Sequence, residues 1–163
     1  MGALGGLVPK KSPRPARGLG QVVSGPHRSE VRCPRIDSGL YQLVIRMPKT
    51  RAVTIGRLGS FPFPAGYYVY TGSAKQGLES RVARHLRKQK KMRWHIDYLL
   101  RQGRVVEVKK YGGDALSECE LSRMVEGLRG SEIIVPGFGS SDCKCSTHLF
   151  HFRRNPAQEL DVV

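Results

Sequence analysis

The chain has 163 residues, 39% of them hydrophobic, which suits one domain with a core and is short for two domains of ordinary size. Its 28 Lys and Arg against 13 Asp and Glu leave a formal charge of +15, which points to a polyanionic partner rather than to a neutral small molecule. No apolar run approaches the roughly 20 residues of a membrane-spanning helix, so no membrane is expected as a partner; no small-molecule organic cofactor is expected either.

Residues 1–35 hold six Gly, five Pro and seven Lys or Arg against the single acid Glu30, and read as a disordered basic tail. The Gly and Pro would break the amphipathic helix of an organellar presequence. Gly39–Ile45 is rich in strand formers and ends at Pro48, and Ala52–Ile55 follows as a second short strand, the two fitting a hairpin. Gly59–Gly66 reads as a turn-rich stretch, and Tyr67–Thr71 as a central strand stopped by Gly72.

A helix is expected over Leu78–Lys91, with Leu78, Val82 and Leu86 as its buried stripe. A second covers Trp94–Arg101 and ends at Gly103, followed by a strand at Val105–Val108. Asp114 or Ser117 caps a third helix, which turns Leu116, Leu121, Met124, Val125 and Leu128 to the core and stops near Gly130. Ile133–Val135 and His148–Phe152 are late strands. The order β-β-β-α-α-β-α-β-β gives an α/β (α+β) domain over residues 36–154, with a short central mixed or antiparallel sheet flanked by helices. Residues 155–163 read as a C-terminal tail.

Several polar groups stand out within this frame. Strand alternation puts Tyr68 and Tyr70 on one face and Tyr67 and Val69 on the other. Arg81 and His85, four residues apart, share a helical face beside the buried stripe. His95 and Asp97 are further polar candidates beside Trp94. Glu118 and Glu120 both border the apolar side of the third helix, and helical geometry does not choose between them. Lys75, Arg81, Arg84, Arg87, Lys88, Lys90, Lys91 and Arg93 crowd 19 residues that contain one acid, Glu79, a density suited to backbone phosphates. Nothing resembles a base-reading code.

Asp142, Cys143, Cys145 and His148 lie within one short segment, and Cys119 is a further thiol that the fold can bring near. Zinc is one reading, although Cys-x-Cys is tighter than the two-residue spacer of zinc knuckles and no second paired ligand set exists. Packed thiols beside a cleft-lining loop at 137–142 are the other reading. The four cysteines form no spaced disulfide framework, so an intracellular, reducing, cytoplasmic compartment is expected.

Gly39-Leu40-Tyr41, Tyr70-Thr71-Gly72 and Arg81 in the helix that follows resemble the GIY-YIG nuclease superfamily across about residues 37–152. The pattern is most similar to a poorly characterised branch, a domain of unknown function. It is carried by Gly-Tyr-Tyr-Val-Tyr-Thr-Gly-Ser-Ala (66–74), Arg-His (84–85), Trp-His-Ile-Asp-Tyr-Leu (94–99), Glu-Cys-Glu-Leu (118–121) and Gly-Phe-Gly-Ser-Ser-Asp-Cys-Lys-Cys (137–145).

The resemblance implies a metal-dependent endonuclease acting on nucleic acid, DNA before RNA. Tyr41 and Tyr70 would position water or take its proton, Arg81 would clamp the phosphate, and His85 would serve as base or phosphate ligand. Glu118 would hold Mg2+ or Mn2+, and Lys75, Arg84, Arg87, Lys88, Lys91 and Arg93 would bind the backbone. Two features depart from the superfamily pattern: the 28 residues between Tyr41 and Tyr70, and the lack of a recognisable catalytic Asn near the C-terminus. A non-catalytic nucleic-acid-binding module of the same fold is the alternative, and a metal-stabilised interaction domain built on Cys143, Cys145 and His148 is a third reading.

Overall fold

The computed structural model describes residues 37–112 and 116–162. Along the chain run β1 (Gly39–Met47), β2 (Arg51–Ile55), β3 (Gly59–Phe63), β4 (Gly66–Ala74), α1 (Leu78–Leu86), α2 (His95–Leu100), β5 (Arg104–Tyr111), α3 (Glu118–Glu126) and β6 (Leu149–Phe152). The basic tail expected over 1–35 and the candidate cap Asp114 lie outside the described residues.

The fold is α+β: a four-stranded sheet in the order β5-β1-β4-β6, every pairing antiparallel, with three helices. β1 and β4 pair along all nine residues, from Gly39 opposite Ala74 to Met47 opposite Gly66. Alternation then sorts their side chains as expected. Tyr41, Leu43, Tyr68 and Tyr70 join a core with Leu78 and Val82 of α1 and Ile96 and Leu99 of α2. Val44 and Val69 pack with Val125 of α3, Phe150 and Phe152.

The long Tyr41 to Tyr70 connection is explained by β2 and β3, which form a separate two-stranded sheet and leave the β1–β4 register intact. The expected β1–β2 hairpin is therefore corrected. Pro48 closes β1, and β2 pairs instead with Gly59–Phe63, the stretch read as turns, where the Thr54 and Ser60 hydroxyls meet at 2.6 Å across the ladder. Pro62 fits this strand because a two-stranded ribbon leaves each strand a free edge.

The helix expected to reach Lys91 stops at Leu86, where Arg87 turns extended. The chain folds back so that Lys90 Nζ donates to the terminal carbonyl of His85 at 2.6 Å, and Arg84 donates to the Lys91 carbonyl at 2.7 Å. The first contact satisfies an acceptor that the helix end leaves open, and the second pins the returning chain to α1. Leu86 is 52% exposed and His85 is 2% exposed, so the buried stripe is Leu78, Val82 and His85. At about 100° per residue the seventh position after Leu78 returns to within about 20° of it and the eighth overshoots to about 80°.

Three further expectations are corrected. Met124 is 38% exposed and Leu116 precedes α3, so neither joins the core. Ile133–Val135 is not a strand: only a bridge between Glu132 and His151 forms, and Pro136 has no N–H with which to extend a ladder. The stretch read as a C-terminal tail is packed, with Leu160 buried in the second core and Lys109 bonding the Ala157 carbonyl at 2.9 Å. Among the described residues no helix is long and apolar enough to cross a membrane.

Candidate functional site

β1 and α1 are tied at their starts by Asp37, whose carboxylate accepts from Gly77 N–H at 3.0 Å and whose carbonyl accepts from Leu78 N–H at 2.8 Å. This fixes Tyr41 on the strand against Arg81 and His85 on the helix. Gly72 lies opposite Tyr41 in the ladder, and a Cβ there would stand 2.6 Å from the tyrosine's Cζ and hydroxyl. A glycine at that position is what lets the Tyr41 ring lie across β4. On the other side Gly139, at φ +75°, brings its loop against the Tyr70 ring, where a Cβ would stand 3.1 Å from Cε2.

The result is a polar cleft of about 380 Å3 lined by Tyr41, Tyr70, Ser73, Arg81, Trp94, His95 and Glu118, with Arg93, Gly139, Ser141 and Asp142 at its margins. The two tyrosine rings are 6.3 Å apart, tilted at 55°. The Tyr41 hydroxyl meets Nε2 of His85 at 2.9 Å. Burial, offset in part by Arg81, pushes the Tyr41 phenol up to about 12. Burial and the Tyr41 phenol raise Tyr70 well above the ordinary phenol range. Burial, then the charge of Lys90, pushes His85 down to about 4, so at neutral pH the Tyr41–His85 pair is uncharged. His85 stands behind Tyr41 rather than on the cleft surface, and its Nδ1 has no partner among the described residues.

The structure separates the two glutamates. Glu120 closes a capping box, its carboxylate accepting from Ser117 N–H at 2.8 Å while its own N–H donates to the Ser117 hydroxyl at 3.2 Å. Glu118, two residues earlier, faces the cleft: Oε1 lies 2.9 Å from Nδ1 of His148, and the Ser73 hydroxyl donates to Oε2. Burial acts to raise this carboxyl, but His148, Ser73 and Arg81 hold it below the usual range.

Trp94 organises the cations around the cleft. The guanidinium carbons of Arg84, Arg81 and Arg93 lie 4.2, 5.0 and 5.7 Å from its ring centroid. Arg84 is otherwise committed to Asp97, bonding both carboxylate oxygens at 3.1 and 2.9 Å. Asp97 is fully buried and also accepts from the Arg93 and Trp94 N–H groups, at 2.9 and 3.1 Å. Arg84 and Asp97 thus hold the helix ends that carry the site. Lys75 shares a surface hollow with Ser73 and Arg81, and Arg93 borders the cleft itself. Lys88 lines a different groove, with Arg46, Arg101 and Arg104, while Arg87 and Lys91 are exposed.

His95 lines the cleft, and its Nδ1 accepts from Gly139 N–H at 3.3 Å, which leaves the ring proton on Nε2. Burial lowers its pKa. Tyr68 is fully buried and donates to the Pro64 carbonyl at 2.8 Å, away from the cleft. Ser73 had no assigned role in the sequence. A serine beside a glycine carries no signal of its own, and only the fold brings it to Glu118. The chain's one asparagine, Asn155, accepts from the Ala157 N–H at 3.1 Å and lines a different hollow with Arg129 and Glu132.

Behind Glu118 a second group assembles. The ligand atoms of Cys119, Cys143, Cys145 and His148 all lie within 4.8 Å of one another, and Cys143 Sγ is 3.4 Å from Nε2 of His148. The set can hold a metal ion. Burial and the Cys119 and Cys143 thiols push Cys145 up to about 12. The Cys143 thiol is lowered: burial opposes its ionisation, but the Cys145 amide, the neighbouring thiols and His148 favour it.

No curated protein and no solved structure matches the chain. Residues 40–163, beginning at the second residue of β1, match one protein family, and on that match the chain belongs to the family described as Domain of unknown function DUF123.

Proposed function

We propose that the cleft is the active site of a metal-dependent endonuclease of the GIY-YIG type, hydrolysing phosphodiester bonds of nucleic acid, DNA first among its substrates. The observation that carries this reading is that Tyr41, Tyr70, Arg81 and Glu118, from four separate elements, line one polar cleft. Glu118 is the residue that would hold Mg2+ or Mn2+. It fits, because each carboxylate oxygen spends one lone pair on His148 or Ser73 and keeps the other for the cleft. When bound, such a cation supplies Lewis-acid polarisation of a phosphoryl oxygen.

The chain's own residues supply the rest. Arg81, at the cleft with its guanidinium carbon 5.0 Å from the Trp94 ring centroid, donates to the non-bridging phosphate oxygens as a permanent charge. His95 offers its Nε2–H as a neutral donor. Tyr41 and Tyr70 orient the attacking water. Tyr41 can take a proton from that water while passing its own to Nε2 of His85 across the 2.9 Å contact. Holding that proton on a His85 with a pKa of about 4 costs roughly 4 kcal/mol at pH 7, so the transfer is transient, confined to the step itself. Lys75 and Arg93 beside the cleft would track the backbone, and binding should weaken steeply with salt.

Incubation with branched, single-stranded and duplex DNA and with RNA, in Mg2+ or Mn2+, tests the reading. Glu118→Gln and Arg81→Ala should each lower cleavage by about 100-fold or more with nucleic-acid binding largely kept. Cleavage indifferent to both substitutions would sink the assignment, and salt-sensitive binding without turnover would leave a non-catalytic binding module in its place.

A further inference from the structure

We propose that Cys119, Cys143, Cys145 and Nε2 of His148 bind one structural Zn2+ ion, which clips the 137–148 loop to the first turn of α3. The four ligand atoms come from two parts of the chain and converge within 4.8 Å of one another. In a tetrahedral site, Zn–S and Zn–N bonds of about 2.3 and 2.0 Å set S–S and S–N edges of about 3.8 and 3.5 Å. The 3.4 Å between Cys143 Sγ and His148 Nε2 is close to the edge the ion requires. The Cys-x-Cys spacing does not stand alone, because Cys119 on α3 supplies the ligand that the sequence lacks near it. Four protein ligands close the site, which marks it as structural rather than catalytic.

The other ring nitrogen of His148 completes the argument. Nδ1 lies 2.9 Å from Glu118 Oε1, so a metal on Nε2 fixes the ring proton on Nδ1 and aims it at a carboxylate, the usual outer partner of a metal-bound histidine. The loop that the ion would join to α3 carries part of the cleft. Between Phe138 and Leu149 it contains no strand or helix, yet Gly139, Ser141 and Asp142 from it line the cleft. Its backbone is tied at both ends, among other bonds by Gly137 N–H to the Ser146 carbonyl at 2.8 Å, His148 N–H to the Phe138 carbonyl at 2.8 Å and the Ser122 hydroxyl to the Thr147 carbonyl at 3.1 Å. A metal bridging Cys143 and Cys145 to α3 adds a tie through the thiols. The proposal stands apart from the nuclease reading and meets it at the loop residues that line the cleft and at Glu118, which the zinc-bound His148 holds toward the cleft.

The test uses the full chain, produced with zinc in the medium, purified under reducing conditions and dialysed. One equivalent of zinc per chain is expected by elemental analysis. Removal with phenanthroline should lower the melting temperature, and zinc should restore it. Cobalt added to the stripped protein should give the intense visible bands and thiolate charge transfer of a tetrahedral site. Cys145→Ser and Cys119→Ser should bring metal content to background. Glu118→Gln, which keeps an acceptor for the imidazole N–H, should retain the cobalt spectrum while binding zinc about tenfold or more weakly. None of these readouts changes if the cleft proves inactive on nucleic acid. If a cysteine variant does not fold, the cobalt titration of the wild-type chain decides alone. A metal-free chain whose thiols alkylate equally fast with and without added zinc would overturn the proposal, as would a six-coordinate cobalt spectrum or a disulfide joining any two of the three cysteines.

Discussion

Acidification should destabilise this protein through His85. The imidazole is 2% exposed, lies 5.5 Å from the Trp94 ring centroid and sits under the Lys90 charge, and burial with that charge lowers its pKa from 6.5 to about 4. Its folded-state value is depressed, so the unfolded chain binds the extra proton first. The stabilisation is therefore complete above pH 6.5, where both states are neutral, and is lost as pH falls towards 4. At about 1.4 kcal/mol per pH unit the full loss is about 3 kcal/mol, of which about 2 kcal/mol falls between pH 7 and pH 4.5. Urea unfolding of wild type and His85→Gln across that range measures it. The glutamine does not titrate, yet its amide can still meet the Tyr41 hydroxyl. His148 keeps the same surroundings in both proteins, including its contact with Glu118, so its contribution cancels in the difference. Asp97, held low by Arg84 and backbone N–H groups against its burial, titrates below the window. Wild type should lose about 2 kcal/mol more than the variant. Parallel stability curves would show that His85 is not held neutral by its burial.

Gly72→Ala places a Cβ 2.6 Å from a Tyr41 ring that is buried and bonded to His85, so it should cost about 1–3 kcal/mol in thermal or urea unfolding and displace the hydroxyl from the cleft. Asp97→Asn removes the charge that faces Arg84 and Lys90, whose side chains are 20% and 6% exposed, and should cost about 3–5 kcal/mol by the same measurement. Glu120→Ala should lower the melting temperature slightly through the lost capping box and leave cleavage unchanged, whereas Glu118→Gln should remove most of the cleavage; equal effects on activity would contradict the division of roles between the two acids.

Local pattern determined much of this protein by itself. The β-branched and aromatic runs of β1, β4 and β5 and the start of the cationic helix after Gly72 were legible because strand and helix periods are short-range properties. Tyr41, Tyr70, Arg81 and Glu118 could be named from their motifs. Other features needed the tertiary structure, since each depends on what a residue meets far along the chain. Helical spacing left Glu118 and Glu120 equivalent, and the capping geometry of Ser117 and the arrival of His148 and Ser73 separated them. Leu86 matched the stripe better in type than His85, yet the rotation of α1 and the pairing with Tyr41 buried the histidine. Arg84 looked like one more phosphate-binding cation until Asp97, 13 residues on, claimed its guanidinium. The Cys-x-Cys pair gained its third thiol only when α3 brought Cys119 across from another part of the chain, a meeting set by packing and not by any spacing the sequence contains.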